Sequence, residues 1–472
     1  MVARLLLRLV WHLIPSVLQL ASWLVLVRLR LESWCAEYGK PFRQPRIIAS
    51  GSWTFPVYSQ TFVHQEVLAM ARAGFRVRLL YARLGPRVEL AHSCEDLWPL
   101  KRRVILHTAT GASDLAYFRR RMPAKVETLR HLIATAAGVQ NEVVERHEHF
   151  LHAFSFARAV EACGADYLHS YFFYEQTLFA LVASQLLGIP RGVSCYSDHM
   201  LKDYPLKVVK LHLQTCDVII ATSHRIRSEL ETLHGAPLNQ IIVKPNAIDT
   251  SCFPVKNGWV SASDKPLRLL CVNRIDPKKG IEYLIEAVRI LIERGVHVEA
   301  LIVGASDMHS PESRDYSIAL RKQVAELGLT NAVRFAGRRN SREINKYLQD
   351  AQIFIAPYVD LPNGDKDGIP TALLEAMAAG SAIVSTNAGS ICEIIDDGKQ
   401  GLIVPQRDSL ALATAVQQLA ENNGLAARLG LSAAARARRE YDVSKSESNF
   451  HGLVLGAVDV RRRAQTASVA HG

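Results

Sequence analysis

Two carboxylates lie eight residues apart in the stretch Asp367-Gly-Ile-Pro-Thr-Ala-Leu-Leu-Glu375. Pro370 suits the first turn of a helix, where its missing N–H has no partner, and Gly380 suits the left-handed residue that ends one. A helix over about 370–379 directs its free N–H groups and positive dipole end toward the loop 363–368, where an anion is stabilised. The two carboxylates can then bind different hydroxyls of one elongated ligand whose phosphates lie between them.

The same stretch also fits an acidic loop followed by an ordinary core helix with an apolar face. Asp365 and Asp367 form a DxD pair, which in other contexts binds a hard divalent cation. A lysine stands between them in a loop that contains glycine, so we expect no metal at this site. Taken alone, the stretch leaves the ligand-binding and the packing interpretations open.

A second candidate cluster is Asn273-Arg-Ile-Asp-Pro-Lys-Lys-Gly280, which follows an apolar run typical of a strand. Arg274 and Lys279 would lie at the carboxyl end of that strand, where parallel sheets bind ligands. Arginine offers a planar fork that matches phosphate, and lysine offers a compact point charge. A charged loop of this length is common, so this cluster alone does not decide the function.

Two series of short β-branched runs alternate with helical patterns, one from Arg46 to about Lys244 and one from Leu267 to Val404. Such alternation predicts mainly parallel, doubly wound sheets. Residues 254–266 carry Asn, Gly, Ser and Asp with little apolar periodicity, as a linker does. We therefore predict an α/β protein of two Rossmann-like domains that face a cleft. GxGxxG after either first strand and GxxxxGK[ST] are both missing, so dinucleotide and P-loop sites are not expected.

The net charge of +11 comes from two segments. Residues 1–46 hold seven Arg or Lys against two Glu, and residues 101–131 hold eight against two acids. In neither segment do aromatic residues suited to base stacking alternate with the basic residues, and neither contains a known DNA-recognition helix motif. We therefore expect no nucleic-acid partner. An anionic membrane surface is the expected partner.

The first thirty residues predict an amphipathic helix with a narrow polar stripe that includes Arg4, Arg8, His12 and Gln19. An interfacial helix, a membrane-spanning helix and a helix docked on the protein's own surface all remain open. Nothing in this stretch resembles a secretory cleavage site. The eight cysteines are scattered without regular spacing, which indicates small core residues in a reducing cytosol.

In order and spacing, the two clusters resemble the retaining GT-B glycosyltransferases of family 4, also called group 1. The stretch 270–280 resembles the V-G-R-L-x-x-x-K-G motif, and 367–380 resembles E-G-I-P-x-x-L-x-E-A-M-A-x-G. The stretch 385–393 resembles the following T-x-x-G-G-x-x-E motif. In the first half, 55–63 resembles F-P-x-x-S-E-T-F-I of exopolysaccharide members such as colanic acid enzymes.

The resemblance implies transfer of a sugar from a nucleotide-diphosphate sugar, with retention, to a lipid-linked or growing polysaccharide acceptor, with no metal or other cofactor. It implies that Arg274 and Lys279 bind the donor diphosphate, that Asp367 holds the transferred sugar, and that Glu375 binds the ribose. Arg274, Lys279 and Asp367 are the implied catalytic residues. The implied donor site also includes Gly368, Ile369 and Pro370. Candidates on the acceptor side are Ser59, Tyr171, Tyr196 and Asp198.

With these roles, we predict an enzyme at the cytoplasmic face of a membrane, peripherally associated with it. The predicted organisation has a membrane-associated amphipathic segment, an acceptor-side domain with a basic helical insertion, a nucleotide-sugar-binding domain, and a C-terminal helix and tail returning to the first domain. The amphipathic segment is predicted at 1–40, and the acceptor-side domain at 41–255 with its insertion at 101–163. The nucleotide-sugar-binding domain is predicted at 266–440, and the C-terminal helix and tail at 441–472.

The sequence departs from the family motifs at four positions. Asp367 replaces the first Glu, which shortens its reach by one methylene, and Gln60 replaces the Glu of S-E-T-F. Tyr171 stands where H-A-H-F members have their second His, and Tyr196 stands where T-A-H-x-x-D members have theirs. Because both tyrosines belong to the first domain, the acceptor side is the part of the site that the resemblance defines least.

Two other functions remain open at this stage. One is a GT-B-like nucleotide-sugar epimerase, which would change the sugar without needing an added acceptor. The other is a catalytically silent GT-B protein that scaffolds a membrane assembly, which would bind nucleotide without turnover.

Overall fold

The structure is a computed structural model of the 472-residue chain. It describes residues 2–37, 46–50, 54–55, 61–84, 97–173, 175–196, 206, 208–256, 258, 265–307 and 310–470.

The first half of the chain forms a seven-stranded parallel sheet in the order β5-β3-β1-β6-β7-β8-β9, and a short two-stranded pair β2-β4 lies beside it. Strands β6, β7 and β8 are buried along their whole length, as expected for parallel strands covered on both faces. The bounds are β1 Arg46–Ser50, β2 Thr54–Phe55, β3 Arg76–Tyr81, β4 Arg83–Leu84, β5 Lys101–Arg103, β6 Tyr167–Tyr171, β7 Arg191–Cys195, β8 Val218–Ala221 and β9 Ile241–Val243.

The second half forms a six-stranded parallel sheet in the order β12-β11-β10-β13-β14-β15. The chain runs outward from β10, returns, and continues outward on the other side from β13, so the strand order reverses between these two strands. Ligands bind at such a reversal in doubly wound sheets. The bounds are β10 Leu267–Val272, β11 Val298–Val303, β12 Val333–Gly337, β13 Ile353–Ala356, β14 Ala382–Thr386 and β15 Leu402–Val404.

Helices connect the strands and cover both faces of each sheet. The helices of the first half are α1 Val2–Glu37, α2 Thr61–Arg72, α3 Thr108–Arg121, α4 Pro123–Ala137, α5 Asn141–Arg146, α6 Glu148–Cys163, α7 Glu175–Leu187, α8 Val209–Thr215 and α9 His224–His234. Those of the second half are α10 Ile281–Glu293, α11 Pro311–Glu326, α12 Ser341–Asp350, α13 Thr371–Ala378, α14 Ser409–Glu421, α15 Asn423–Glu440 and α16 Val443–Ala470.

Local sequence explains these elements. In α10 the buried residues Ile281, Leu284, Ile285, Val288 and Leu291 recur at helical spacing and form one apolar face. Helix α12 begins at a capping box, in which Asn340 and Glu343 satisfy each other's backbone N–H groups. The observed α/β architecture with two doubly wound sheets confirms the predicted fold class.

The segment 101–163, predicted as a basic helical insertion of the first domain, packs into the core of that domain. Lys101–Arg103 is the edge strand β5 of the first sheet, and the helices after it contribute to the same core as strand residues Leu80 and Leu168. The buried face of α6 includes Phe150, Phe154 and Val160. An apolar face of this size needs the sheet and its helices to cover it, so the segment is an integral layer of the first domain.

The two ends of the chain both pack on the first domain. One face of α1 contacts α3 and α6, where Leu29 is buried and Ser33 Oγ donates to the Cys163 carbonyl at 3.1 Å. Helix α16 leaves the second domain and buries Phe450 and Val454 against residues of the first sheet and α2. No helix in the described part of the chain combines the length and the apolar character needed to cross a membrane.

Candidate functional site

The loops after β10 and β13 meet at the reversal point of the second sheet, because these two strands are paired neighbours. The loop after β10 makes a short 3-10 turn, Pro277–Lys279, capped by the side chain of Asp276. Gly280 follows with φ +59, and a Cβ there would lie 2.0 Å from the carbonyl oxygen of Pro357. Only glycine allows this approach, and it places the loop directly against the chain that leaves β13.

The two sequence-predicted groups Lys279 and Asp367 form an ion pair, with 2.6 Å between Nζ and Oδ2. Both side chains are largely buried, at 9% and 14% exposure. Burial alone would raise the pKa of Asp367, but Lys279, Lys278 and Arg274 hold it below its usual value. The carboxylate is therefore charged in neutral solution and faces a set of three cations.

Arg274 differs from Lys279 because its side chain is exposed and has no ion pair among the described residues. Its charge nevertheless acts on both Lys279 and Asp367, so it lies close to them. The structure thus brings Arg274, Lys279 and Asp367 together, as the sequence predicts, and leaves the guanidinium open to an incoming anion.

The other carboxylate of the DxD pair also has a lysine partner. Lys278 Nζ lies 2.9 Å from Asp365 Oδ1, and Lys366 Nζ lies 2.8 Å from Glu229 of α9 in the first domain. Asp365 and Asp367 are thus paired with lysines of their own domain. Lys366, which lies between them, is paired with Glu229 of the first domain. Among the described residues, no group of three or more His, Cys, Asp or Glu side chains is arranged to hold a metal.

Glu375 lies on α13, with Pro370 as the residue that caps the start of this helix. Burial raises the pKa of its carboxyl from the usual 4.5 to about 7. The carboxyl makes no hydrogen bond or ion pair with the described residues. A desolvated carboxyl without a protein partner is suited to accept hydrogen bonds from the hydroxyls of a ligand.

Tyr358, which sequence analysis did not single out, lies between these groups. It is fully buried, its hydroxyl donates to Asn273 Oδ1 at 2.6 Å, and Lys279 Nζ lies 4.5 Å from its ring centroid. Both Asp367 and Glu375 raise its pKa, after burial as the largest cause. Its position two residues after β13, at the ligand-binding edge of the sheet, was the sequence signal that could have identified it.

The segment Gly368-Ile369-Pro370 passes directly beneath the first domain. A Cβ on Gly368 would lie 2.6 Å from the carbonyl oxygen of Tyr196, and the carbonyl of Ile369 accepts a hydrogen bond from Asn246 Nδ2 at 2.7 Å. Gly368 and Ile369, two of the predicted donor residues, therefore contact the first domain.

The four candidates on the acceptor side have different outcomes. Ser59 and Asp198 lie outside the described residues. Tyr171 ends β6, and its buried hydroxyl has no hydrogen-bond partner among the described residues. Tyr196 is 7% exposed, and its hydroxyl donates to Glu66 Oε2 at 2.6 Å. A contact of these side chains with an acceptor stays a prediction.

Glu66 is the centre of a buried polar cluster that sequence analysis missed. Besides Tyr196, its carboxylate accepts from Ser194 Oγ at 3.0 Å and lies 3.2 Å from His169 Nε2 and 3.3 Å from Lys244 Nζ. Burial works to raise the pKa of Glu66, but Lys244, His169 and Tyr196 together lower it well below its usual value. An acid among the apolar positions of amphipathic helix α2 was the available signal.

A second group that sequence analysis missed joins the two domains at the start of α9. The backbone N–H groups of His224 and Arg225 donate to the carboxylate of Glu393, at 2.7 and 3.0 Å. Ser390 Oγ donates to Ser223 Oγ at 2.8 Å and accepts from Arg225 Nε at 3.0 Å. We call these residues the bridging cluster: Ser223, His224, Arg225, Ser390 and Glu393.

Solved structures share this arrangement of two domains. Anabaena Alr3699/HepE in complex with UDP-glucose aligns with a TM-score of 0.66 at 16% identity, over 88% of this chain and 100% of that one. Sucrose-phosphate synthase from Thermosynechococcus elongatus aligns with a TM-score of 0.65 at 18% identity, over 90% and 100%. The chain therefore has the GT-B fold of glycosyltransferases.

Sequence comparison gives the family. The model described as Glycosyl transferases group 1 matches residues 258–436, and the model described as Glycosyltransferase Family 4 matches residues 59–251. The chain belongs to this glycosyltransferase family, as its motifs predict. The amylovoran biosynthesis glycosyltransferase AmsK of Erwinia amylovora is 28% identical over 402 residues, or 82% of this chain and 94% of that protein. The putative colanic acid biosynthesis glycosyltransferase WcaL of Escherichia coli K12 is 28% identical over 377 residues, or 76% and 87%.

Proposed function

We propose that this glycosyltransferase moves a sugar from a nucleotide-diphosphate sugar, with retention and without a metal or other cofactor, to a lipid-linked or growing polysaccharide acceptor. The observation that carries the proposal is the juxtaposition of exposed Arg274 with the buried Lys279–Asp367 pair and with Glu375, which has no partner in the described structure. Two relatives are named for amylovoran and colanic acid biosynthesis, and a structure of the same fold holds UDP-glucose, which supports this choice of acceptor class and donor.

In the proposed reaction, the bond between the anomeric carbon and the diphosphate oxygen breaks, and the acceptor oxygen bonds to the same face of that carbon. The proton of the acceptor hydroxyl passes to the departing phosphate oxygen. Arg274, Lys279 and the N-terminal amides of α13 stabilise the charge that develops on the diphosphate. Asp367 binds the transferred sugar, and Glu375 accepts hydrogen bonds from the ribose.

A thermal-shift screen of nucleotide sugars tests donor binding first, because a ligand that binds the native state raises the melting temperature. With the best donor, release of the nucleoside diphosphate should depend on an added acceptor fraction. Sugar conversion without acceptor would identify an epimerase instead, and binding without turnover would identify a scaffold. If no nucleotide sugar shifts the melting temperature, the proposal is wrong.

Arg274→Ala is the sharpest variant for the diphosphate assignment. Because Arg274 is exposed and has no ion pair in the described structure, its removal should leave stability unchanged and weaken UDP binding about tenfold or more. Arg334→Ala is the matched control, since Arg334 is exposed on edge strand β12 of the same sheet. Equal UDP affinity in the two variants, measured by calorimetry, would count against the assignment.

We further propose that the protein works at the cytoplasmic face of an anionic membrane, bound through α1. The outward face of α1 exposes Val17, Leu20, Leu24, Leu31 and Trp34 at helical spacing, with Trp34 at 62% exposure. The neighbouring helix α3 ends in Arg119, Arg120 and Arg121. An apolar stripe beside a basic helix end matches the chemistry of an interfacial helix on anionic lipid.

The membrane proposal is tested by substitution rather than by deletion of residues 1–34, since deletion would also uncover the core around Leu29. The triple variant Leu20→Ser, Leu24→Ser, Leu31→Ser should lose most of its binding to vesicles that contain anionic phospholipid. The control is Ile318→Ser, Leu410→Ser, Leu431→Ser, which removes three equally exposed apolar side chains from the second domain. Unchanged cosedimentation of the α1 variant with vesicles would contradict the proposal.

A further inference from the structure

Arg225 is the residue of the bridging cluster that also contacts the acidic loop of the donor site. Its Nη2 donates to the backbone carbonyl of Asp367 at 3.0 Å, while its Nε donates to Ser390 Oγ at 3.0 Å. Its Nη1 donates to Glu229 Oε1 at 2.7 Å, and Glu229 in turn pairs with Lys366. One guanidinium of the first domain thus bonds to two loops of the second domain, the one that carries Asp367 and the one that carries Ser390.

The carboxylate of Glu393 holds the backbone of Arg225 in place, and the Arg225 side chain extends from there to the second domain. It accepts hydrogen bonds from the first two backbone N–H groups of α9, where the helix dipole favours a negative charge. These bonds are lost if the domains separate, because their donors and acceptor belong to different domains. The position of the Arg225 side chain relative to Asp367 therefore depends on the closed arrangement of the two domains.

The backbone of Asp367 has little freedom to move on its own. Gly389 packs on it so closely that a Cβ there would lie 2.1 Å from the Asp367 carbonyl oxygen. Gly368, the next residue, lies against the Tyr196 carbonyl of the first domain. The hydrogen bond from Arg225 holds the Asp367 backbone on the side that faces the first domain.

We propose that Arg225 is a positioning residue of the transfer reaction, which fixes the Asp367 backbone when the start of α9 closes on Glu393. The inference rests on the proposed function, because it assigns the Asp367 carboxylate to the sugar of the donor. Arg225 acts through Asp367, so its contribution is to the alignment of the bound sugar. Binding of the diphosphate is assigned instead to Arg274 and Lys279.

The test compares Arg225→Ala, Arg225→Lys and Glu393→Gln with the native chain. We expect kcat for the native donor to fall about 10- to 100-fold in Arg225→Ala, as for the loss of a charged hydrogen bond in the transition state. UDP affinity should stay unchanged. Arg225→Lys should recover only part of kcat, because lysine cannot donate to Asp367 and Ser390 together. Small-angle scattering should show a more open mean shape for Arg225→Ala and Glu393→Gln.

Arg227→Ala is the matched control, because Arg227 lies two residues further along α9 and pairs with Glu231 of the same helix. Its kcat should equal that of the native chain. An unchanged kcat in Arg225→Ala would overturn the inference. An equal loss in Arg227→Ala, or a parallel loss of UDP affinity, would also do so. If the native chain itself shows no donor binding or turnover, the proposed function fails, and this outcome is separate from the other three.

Discussion

At the scale of residues, the proposed donor site contains two carboxyls with different electrostatic surroundings. Asp367 is buried beside Lys279, so removal of either partner should cost up to about 3–5 kcal/mol, and less for loss of Lys279 because Lys278 and Arg274 still face the Asp367 carboxylate. Glu375 is also desolvated, yet it has no such partner in the described structure. Loss of activity in Lys279→Ala therefore combines lost phosphate binding with local destabilisation, whereas Glu375 can be tested through its titration.

The stability of the free protein should depend on the titration of Glu375. Its pKa is about 7 in the folded chain against a usual 4.5, so the folded state binds this proton more tightly than the unfolded state. The free energy of unfolding should then fall as pH rises from about 4.5 to about 7. Glu375→Gln removes this titration and should be more stable than the native chain at pH 8, by about 3 kcal/mol, with the gain fading by pH 4.5.

Urea unfolding at several pH values measures this difference. Glu299→Gln is the control, because Glu299 is exposed on β11 of the same sheet. A stability difference that does not change with pH would contradict the assignment of a desolvated carboxyl. Nucleotide affinity should fall in Glu375→Gln even at pH 8, since the amide is a weaker acceptor for ribose hydroxyls than a carboxylate.

At the scale of elements, the turns that follow the strands of the second sheet set the site's geometry. The turn after β14 brings Gly389 against Asp367, with φ +54. The turn after the short 3-10 segment Ile391–Glu393 contains Gly398, with φ +70 and open space around it. Both glycines have a left-handed backbone. At Gly389 a neighbouring backbone leaves no room for a side chain, whereas at Gly398 there is open space.

Gly389→Ala should therefore cost more than Gly398→Ala. A left-handed alanine alone costs about 1 kcal/mol. In Gly389→Ala the new Cβ also meets the Asp367 carbonyl, so the acidic loop must shift and donor turnover should fall strongly. Denaturation and initial-rate measurements on the two variants separate the backbone cost from the displacement of Asp367. Equal stability and equal activity of the pair would show that the loop tolerates the side chain.

At the scale of the whole molecule, helix α16 belongs to the second domain in sequence and to the first in packing. A bridge between Ile248 and Asp442 and hydrogen bonds from Thr250 to Asp442 fix the point where the chain crosses over. Beyond it, Phe450 joins the core that includes Val67 and Ile220. The stability of the first domain therefore depends on residues that follow the second.

Phe450→Ala should destabilise the chain by about 3–5 kcal/mol, as expected for a buried phenylalanine. The effect should be local to the first domain, so hydrogen exchange should accelerate in β6–β8 and stay unchanged in β10–β14. Val460→Ala is the control on the same helix, because Val460 is 69% exposed. Faster exchange in the second sheet alone would contradict this account of α16.

The proximity of Arg274, Lys279 and Asp367 could be predicted from the sequence, and their role in donor binding stays a prediction. Arg274, Lys279, Asp367 and Glu375 each follow a strand or begin a helix, and the carboxyl ends of paired parallel strands meet at one edge. Glu66, Tyr358 and Arg225 escaped prediction because their roles depend on partners far away in the chain. Glu66 on α2 meets Tyr196, which follows β7, and Lys244, which follows β9, only after these elements have packed together.

The sequence by itself determined the two doubly wound sheets and the family, because apolar periodicity and short motifs act over a few neighbouring positions. The tertiary structure decided that Lys279 pairs with Asp367, that 101–163 is a layer of the first domain, and that Tyr196 bonds to Glu66. It also decided that Arg225 holds Asp367 across the cleft. These contacts join residues tens to more than a hundred positions apart, so the folded arrangement of both domains determines them.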